Sequence, residues 1–310
     1  MIISRRGALA KIEITQGTDS SPVPATDAVK VENLEFAWVD PRVTEPASVK
    51  PDFSAEPSIH GGALGQFTFD VLMKGSGVAG TAPEVDPLLR ACACAVTNVP
   101  ATSDTYAPVS DRTLQESISF YGYDDGKLTK LLGAIGDVSF EQAAGMPVKA
   151  SFVITGHVVD PVDDPLPAFT YNATVPPVYN NASFLTDSFA AKIAALNWAL
   201  GNELAKPEDV SGADGWGDLE IVDRIVAGSF DPFDTLIAGY DWVTKWQANT
   251  VLAIASGAIG SVAGNIMNIN FPFAQYREFS DGEREKIKTL DVGFTATGSV
   301  GDDDFSIVFT

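Results

Sequence analysis

Gly75-Ser76-Gly77-Val78-Ala79-Gly80 fits the Gly-x-Gly-x-x-Gly spacing with which backbone amides cradle a dinucleotide pyrophosphate, and it falls between a strand-like run and a helix-like one. That chemistry needs the helix to begin inside the glycines, so that its N-terminus faces the phosphate, but Thr81-Ala82-Pro83 intervenes. The next segment, Thr97 to Pro108, is interrupted by proline and is no second buried strand ending in an acid. The glycines therefore read as a flexible strand-to-helix connection, and no cofactor is expected.

Nucleophilic catalysis finds no better footing. The histidines are His60 and His157, and no Gly-x-Ser-x-Gly elbow occurs. Cys92 and Cys94, the two cysteines, exclude a disulfide framework, and a zinc site would have to recruit both histidines from distant segments. The acidic runs Asp160 to Asp164 and Asp302-Asp303-Asp304 lack the alternating ligands and distal glutamate of a calcium loop, so they read as solvated turns. Asn172-Ala173-Thr174 and Asn181-Ala182-Ser183 are glycosylation sequons by pattern alone. No convergent polar site can be assembled, so an enzyme is not expected.

The charge balance is 41 Asp and Glu against 20 Lys and Arg, a net charge of −21. Such a chain does not grip nucleic acid by neutralising phosphates. The same sign suits either a very soluble acidic protein or a wall past which DNA slides without adhering. The opening Met-Ile-Ile-Ser-Arg-Arg-Gly lacks the apolar run of a signal peptide, and Val251 to Gly264 is too short for a membrane span. Folding in a reducing cytoplasm, without membrane insertion, is the expectation.

Strand-like alternation must position whatever site exists. Val31, Leu34, Phe36 and Trp38 mark one strand; Phe67, Phe69 and Val71 mark another. Ile118, Phe120 and Tyr121 lead into an Asp125-Gly126 hairpin turn, followed by Val138 and Phe140, then Phe152 and Ile154. A helix is predicted to start at Pro83 and to run through Val85, Leu88, Leu89 and Cys92, with Cys94 read as part of the same helix on a different face. Proline and asparagine then replace the alternation, which divides the chain into a first domain over 1–160, a linker over 161–182 and a second domain over 183–310.

The second domain repeats the order of the first. Lys30 to Trp38 compares with Lys192 to Leu200, Phe69 to Ser76 with Val222 to Ser229, and Phe152 to Gly156 with Phe294 to Gly298. Each middle segment precedes a predicted helix containing Asp-Pro, at Asp86-Pro87 and Asp231-Pro232. Long loops follow the first segment of each copy, Asp40 to Gly62 and Asn202 to Gly217. Ordered matches of this kind point to a duplication.

Several stretches together resemble the major tail tube proteins of siphophages, the long, non-contractile-tailed bacteriophages. They are Ala10 to Pro24, the helix Leu88-Leu89-Arg90-Ala91-Cys92, Ser119 to Gly126, Leu132 to Phe140, Phe152 to Gly156, Asp223-Arg224 with Gly228-Ser229, and Asp304 to Phe309. One departure is Ala93-Cys94, where a glycine would close the helix. The resemblance implies a mostly β (α+β) chain of two tandem tail-tube-like β-sandwiches, each with a flanking helix, a long inter-ring loop and edge strands that complete an inner β-barrel. It implies a virion structural protein, assembled in the bacterial host cytoplasm, whose rings stack into a tube conducting double-stranded DNA during ejection. Two such domains per chain give a trimeric, pseudo-hexameric ring; a hexamer follows if the halves are not a duplication. A tape measure protein, a tail terminator and tail-tip proteins are the implied partners.

Alternation places acids opposite the apolar residues, so Glu35, Asp70, Asp137, Glu141, Asp223 and Asp291 are the lumen-lining candidates. The loops supply the inter-ring candidates Pro41, Val43, Pro46, Val49, Phe53 and Ile59, with Pro207, Val210 and Trp216 in the second copy. The N-terminal arm, Met1 to Ala28, is a further stacking candidate. The alternative is a decorating or receptor- or carbohydrate-binding β-sandwich of a virion or cell surface.

Overall fold

The computed structural model describes residues 5–310. It is mostly β, with 47% of residues in strands and 4% in helix, as the alternation requires, and it contains no closed barrel among the described residues. The first half holds β1 (Arg6–Ile12), β2 (Ala28–Val29), β3 (Glu32–Val39), β4 (Val43–Thr44), β5 (Ile59–His60) and β6 (Leu64–Leu72). Helix α1 (Asp86–Ala91) follows, then β7 (Cys94–Val99), β8 (Ser103–Pro108), β9 (Ile118–Asp124), β10 (Lys127–Ala143) and β11 (Lys149–Asp163). The second half holds β12 (Leu185–Thr186), β13 (Ala195–Ala199), β14 (Asn202–Ala205), β15 (Glu220–Arg224) and β16 (Ala227–Phe230). It continues with α2 (Trp242–Gln247), β17 (Leu252–Ala255), β18 (Met267–Arg284), β19 (Ile287–Ala296) and β20 (Ser306–Phe309).

Across the sheet the first half runs β1-β9-β10-β11-β6-β3 and the second runs β12-β17-β18-β19-β16-β13, every neighbour antiparallel. The helix falls between β6 and β9 in one half and between β16 and β17 in the other. The same path is thus walked twice in the same chain order. The register corrects one of the sequence matches. Phe69 lies on β6, which pairs with β11, and the strand that pairs in the same way with β19 is β16, Ala227–Phe230. Val222 lies instead on β15, in a separate ribbon with β14.

The helices are also displaced from expectation. Asp231-Pro232 forms no helix; the Asp231 carboxylate accepts hydrogen bonds from the Ala194 and Ala195 amides and from Arg284. The second helix starts later, where the Asp241 side chain accepts from the Thr244 amide as an N-cap. In the first half, Cys92 caps α1 and Cys94 begins β7, so the cysteines are not both helical. Ala93 between them adopts φ +56°, the left-handed conformation for which a glycine was expected.

Leu200 and Val138 carry the join between the halves through a backbone hydrogen bond of 3.1 Å, and β10 pairs with β13 from Ser139 to Ala143. Beneath that join the Phe140 ring stacks on Trp198, centroids 4.3 Å apart, and Trp198 in turn meets Phe271 and Phe305. Rings so arranged add about 0.5–1.5 kcal/mol beyond the area they bury. The main apolar core, including Phe69, Phe120, Phe152, Phe230 and Phe294, runs under both halves, with two smaller clusters around Leu64 and Leu9. Strand β20 pairs with β8, so the C-terminal strand also closes onto the first half. Residues 6–12 of the expected N-terminal arm are not free: Ala8, Leu9 and Ala10 are buried in β1. Met1 to Ser4 lie outside the described residues.

Candidate functional site

Eight strands, β3-β6-β11-β10-β13-β16-β19-β18, form one continuous antiparallel surface across both halves. Alternation sends Phe69, Val71, Val138, Phe140, Phe152, Trp198, Phe230 and Phe294 into the core. Leu34 follows them, while Phe36 is only half-buried at the β3 edge. Their neighbours in sequence face outward. Asp70, Ser151, Ser139, Ala199, Ala227, Thr295 and Gln275 stand side by side in one row over seven strands. A second row reads Lys149, Glu141, Asn197, Ser229, Gly293 and Glu278. Over β10, β11, β13, β16, β18 and β19 the surface holds a shallow, open depression of about 870 Å³, lined by Ser139, Glu141, Asn197, Ser229, Arg277 and Thr295 among polar residues and by Phe140, Trp198 and Phe294 among apolar ones.

Five of the six acids expected on this face are brought to it. Glu35 is exposed on β3 opposite Thr68. Asp70 accepts from Ser151 Oγ at 2.5 Å and from Asn33. Burial would raise its pKa, but those hydrogen bonds and the Lys149 charge outweigh burial and hold the carboxyl below its ordinary range. Glu141 is exposed and pairs with Lys149 at 2.7 Å. Asp291 is exposed on β19, opposite Ser280. Asp137 has the right parity but is half-buried, accepting from the Asn202 amide at 3.1 Å. Asp223 sits on the β14-β15 ribbon and not on this surface, because Val222 and Asp223 belong to β15. The sequence reading missed Ser139, Ser151, Asn197 and Ser229, although each directly precedes a core aromatic.

Burial raises the Asp137 carboxyl above its ordinary value of 3.8, against the pull of backbone hydrogen bonds from Asn202, Val138 and Gly201. A raised folded-state pKa means the neutral form suits the fold, and that contribution is lost as pH rises through the folded pKa. Asp137→Asn, which keeps the acceptor, should therefore melt above the wild type at pH 7, and the difference should vanish below about pH 4. Thermal melts across that range check it; an unchanged gap at low pH would show that ionisation is not the cause.

The two long loops leave the same end of the surface, because β3 and β13 run in the same direction. They are more ordered at their bases than a plain loop. Strands β4 and β5 pair Val43 with His60 and Thr44 with Ile59, and β14 pairs with β15. The bases also lean on each other. Arg42 lies over the Trp216 ring at 3.9 Å and reaches Glu208 at 3.2 Å; Lys206 meets Asp40 at 2.6 Å. His157 Nδ1 lies 2.8 Å from Asp214. Gly62, at φ +114°, allows this approach, since a Cβ there would sit 2.4 Å from the Asp214 carbonyl oxygen. Beyond the bases, Val49, Phe53 and Val210 are fully exposed, and Pro41, Val43, Ile59 and Pro207 are exposed too; Pro46 and Trp216 are partly covered.

The glycine motif has a packing explanation. Gly75 donates its amide to Asn265 Oδ1 at 2.8 Å, Gly77 donates to the Gly264 carbonyl at 3.0 Å, and a Cβ on Gly75 would lie 2.0 Å from Gly264 O. These glycines let two backbone segments touch, one from each half. Cys92 and Cys94 are buried free thiols whose ionisation burial opposes, raising Cys94 to about 12. Among the described residues no cluster of three or more metal-ligating side chains occurs.

Comparison with protein-family models gives no match, and comparison with curated proteins gives none either. What the site is for rests on its own geometry: an acid-bearing sheet face with a shallow depression over its middle strands, open edges at β3 and at the C-terminal part of β18, and loops with exposed apolar side chains at one end.

Proposed function

We propose that the chain is the repeating unit of a tail tube: two tandem β-sandwich domains per subunit, three subunits per ring, and rings stacked around a lumen that conducts double-stranded DNA. The carrying observation is the eight-stranded face, which lacks large apolar side chains in both its rows and ends in strand edges at β3 and at the Glu278 to Arg284 part of β18, beyond its pairing with β17. Exposed edges pair unless something blocks them, and pairing between copies would extend the face sideways. Three copies of eight strands make a barrel of 24. At a spacing of about 4.8 Å and a tilt of about 40°, its circumference is roughly 150 Å and its backbone diameter about 48 Å. That leaves a channel roomier than a DNA duplex once side chains are added.

The chemistry of the face fits passage and not capture. Glu32, Glu35, Asp70, Glu141, Glu278 and Asp291 line it, with Lys149 already paired to Glu141. Phosphates passing such a wall meet like charge and gain no counterion release from contact. The repeated strand path supports a duplicated tube domain, hence a ring of three with pseudo-sixfold geometry. Tape measure, terminator and tip proteins are the partners such a tube requires, and the virion tail is its place. Sedimentation across a wide range of protein concentration and salt tests the assembly. Polymers growing with concentration are expected; folded monomer throughout would overturn the reading.

A further inference from the structure

The chain carries a projection at one end of the eight-stranded face and an acidic depression at the other. Strands β13 and β19 run in the same direction, since each pairs antiparallel with β16, so β19 begins at the end opposite the long loops. Gln142, Leu196, Phe230 and Val292 form one row across four strands there. From that row β10 continues one residue, to Ala143, whereas β19 reaches back five, to Ile287, which faces Arg284 on β18. At about 3.4 Å per residue the hairpin stands roughly 17 Å beyond the row.

The tip of that hairpin is charged where its backbone favours other residues. Glu285 and Lys286 hold φ +53° and +66°, the two left-handed positions of a two-residue turn, which Asn-Gly fills with least strain. Both are exposed, as is Ile287. Arg284 is held by Asp231 and Lys288 by Asp234, but Lys286 makes no ion pair among the described residues. A strained conformation kept for an unpaired charge points to a contact made there.

At the loop end, a depression of about 680 Å³ lies between the two loop bases. Asp160, Asp209, Asp214 and Asp218 line it together with the exposed Trp38 indole, and no lysine or arginine does. Asp214 is taken by His157 and Asp209 accepts from the Ser211 amide, but Asp160 and Asp218 have no side-chain partner among the described residues. Arg42, close by over Trp216, is paired with Glu208. We propose that the Glu285-Lys286 tip of one copy seats in this depression on a copy in the next ring, alongside the loop tips, with Lys286 meeting Asp160 and Asp218 beside the Trp38 ring. An ammonium placed between carboxylates and an indole is attracted by both. Glu285 finds a donor in His60, whose Nδ1 accepts from the Gly62 amide and leaves Nε2 to donate. Tip and depression lie at opposite ends of the chain, so the contact is heterologous and repeats without closing, which is how a filament grows. This rests on the tube reading and names a contact between its rings.

Charge exchange in the full chain reads the contact directly. At low ionic strength Lys286→Glu should raise the protein concentration needed for tube growth about tenfold, since the contacts of one ring junction act together. Asp160→Lys with Asp218→Lys should do the same. All three side chains are exposed, so melting temperatures should stay within about 2 °C of the wild type. Joining the three exchanges in one chain puts opposite charges back across the junction and should return growth to within about threefold of the wild type. Lys286→Glu tubes that grow at the wild-type concentration, or a combined variant no better than its two parents, overturn the tip contact while leaving the tube. Folded wild-type monomer under every condition overturns both.

Discussion

Replacing Glu45–Ser58 by a two-residue Asn-Gly turn is expected to abolish tube growth while leaving the subunit folded and its rings able to form. The replacement is local because Thr44 and Ile59 already face each other across the β4-β5 pair, so the excision closes where the strands meet. Shortening the loop changes its closure entropy by only about 2 kcal/mol, in the stabilising direction. What it removes is the apolar tip: Val49 and Phe53 are fully exposed and contact no core in the free subunit. Exposed side chains of that size on a projecting loop are the surface by which one ring would grip the next. The melting temperature should be unchanged or higher, and electron microscopy should show single rings. Tubes of normal length from the excised protein would move ring stacking away from this loop.

Tubes carrying Glu35→Lys, Glu141→Lys and Asp291→Lys are expected to retain DNA that wild-type tubes release. All three acids are exposed on the eight-stranded face, so the exchanges touch no core. Lys at 141 would lie across from Lys149 and cost about 0.5 kcal/mol, which a folded sheet tolerates. At 50 mM salt, DNA co-sedimenting with the variant tubes should rise at least tenfold over wild type, and the excess should fall steeply by 200 mM as counterion release weakens. Equal retention by both tubes at low salt would show that these acids do not face the channel.

The strands were legible in the sequence because alternation is a local property of the chain. Leu34, Phe69, Val71, Val138 and Phe140 turn inward as their spacing requires, and their acidic neighbours turn out. The doubled order of elements was legible too, although the match of Phe69 with Val222 slipped, because residues on β15 alternate as convincingly as those on β16. What alternation could not show was which strands would meet. Asp223 alternates correctly but belongs to a small ribbon, and Asp137 has the right parity yet turns toward the Asn202 amide. The Asp-Pro pair at Asp231-Pro232 carried a helix signal that three hydrogen bonds to the Asp231 carboxylate override. The pairing of β10 with β13, which makes the continuous face, links residues far apart in the chain and leaves no local trace.

Electron microscopy of the concentrated, purified wild-type protein tests the tube most directly, since it needs no assumed ligand. Hollow filaments are expected, with an inner wall of about 24 strands and a three-fold repeat around the axis that averages to a near six-fold one. Monomers or small closed oligomers without a lumen, at every concentration at which the protein stays folded, would contradict the proposed function.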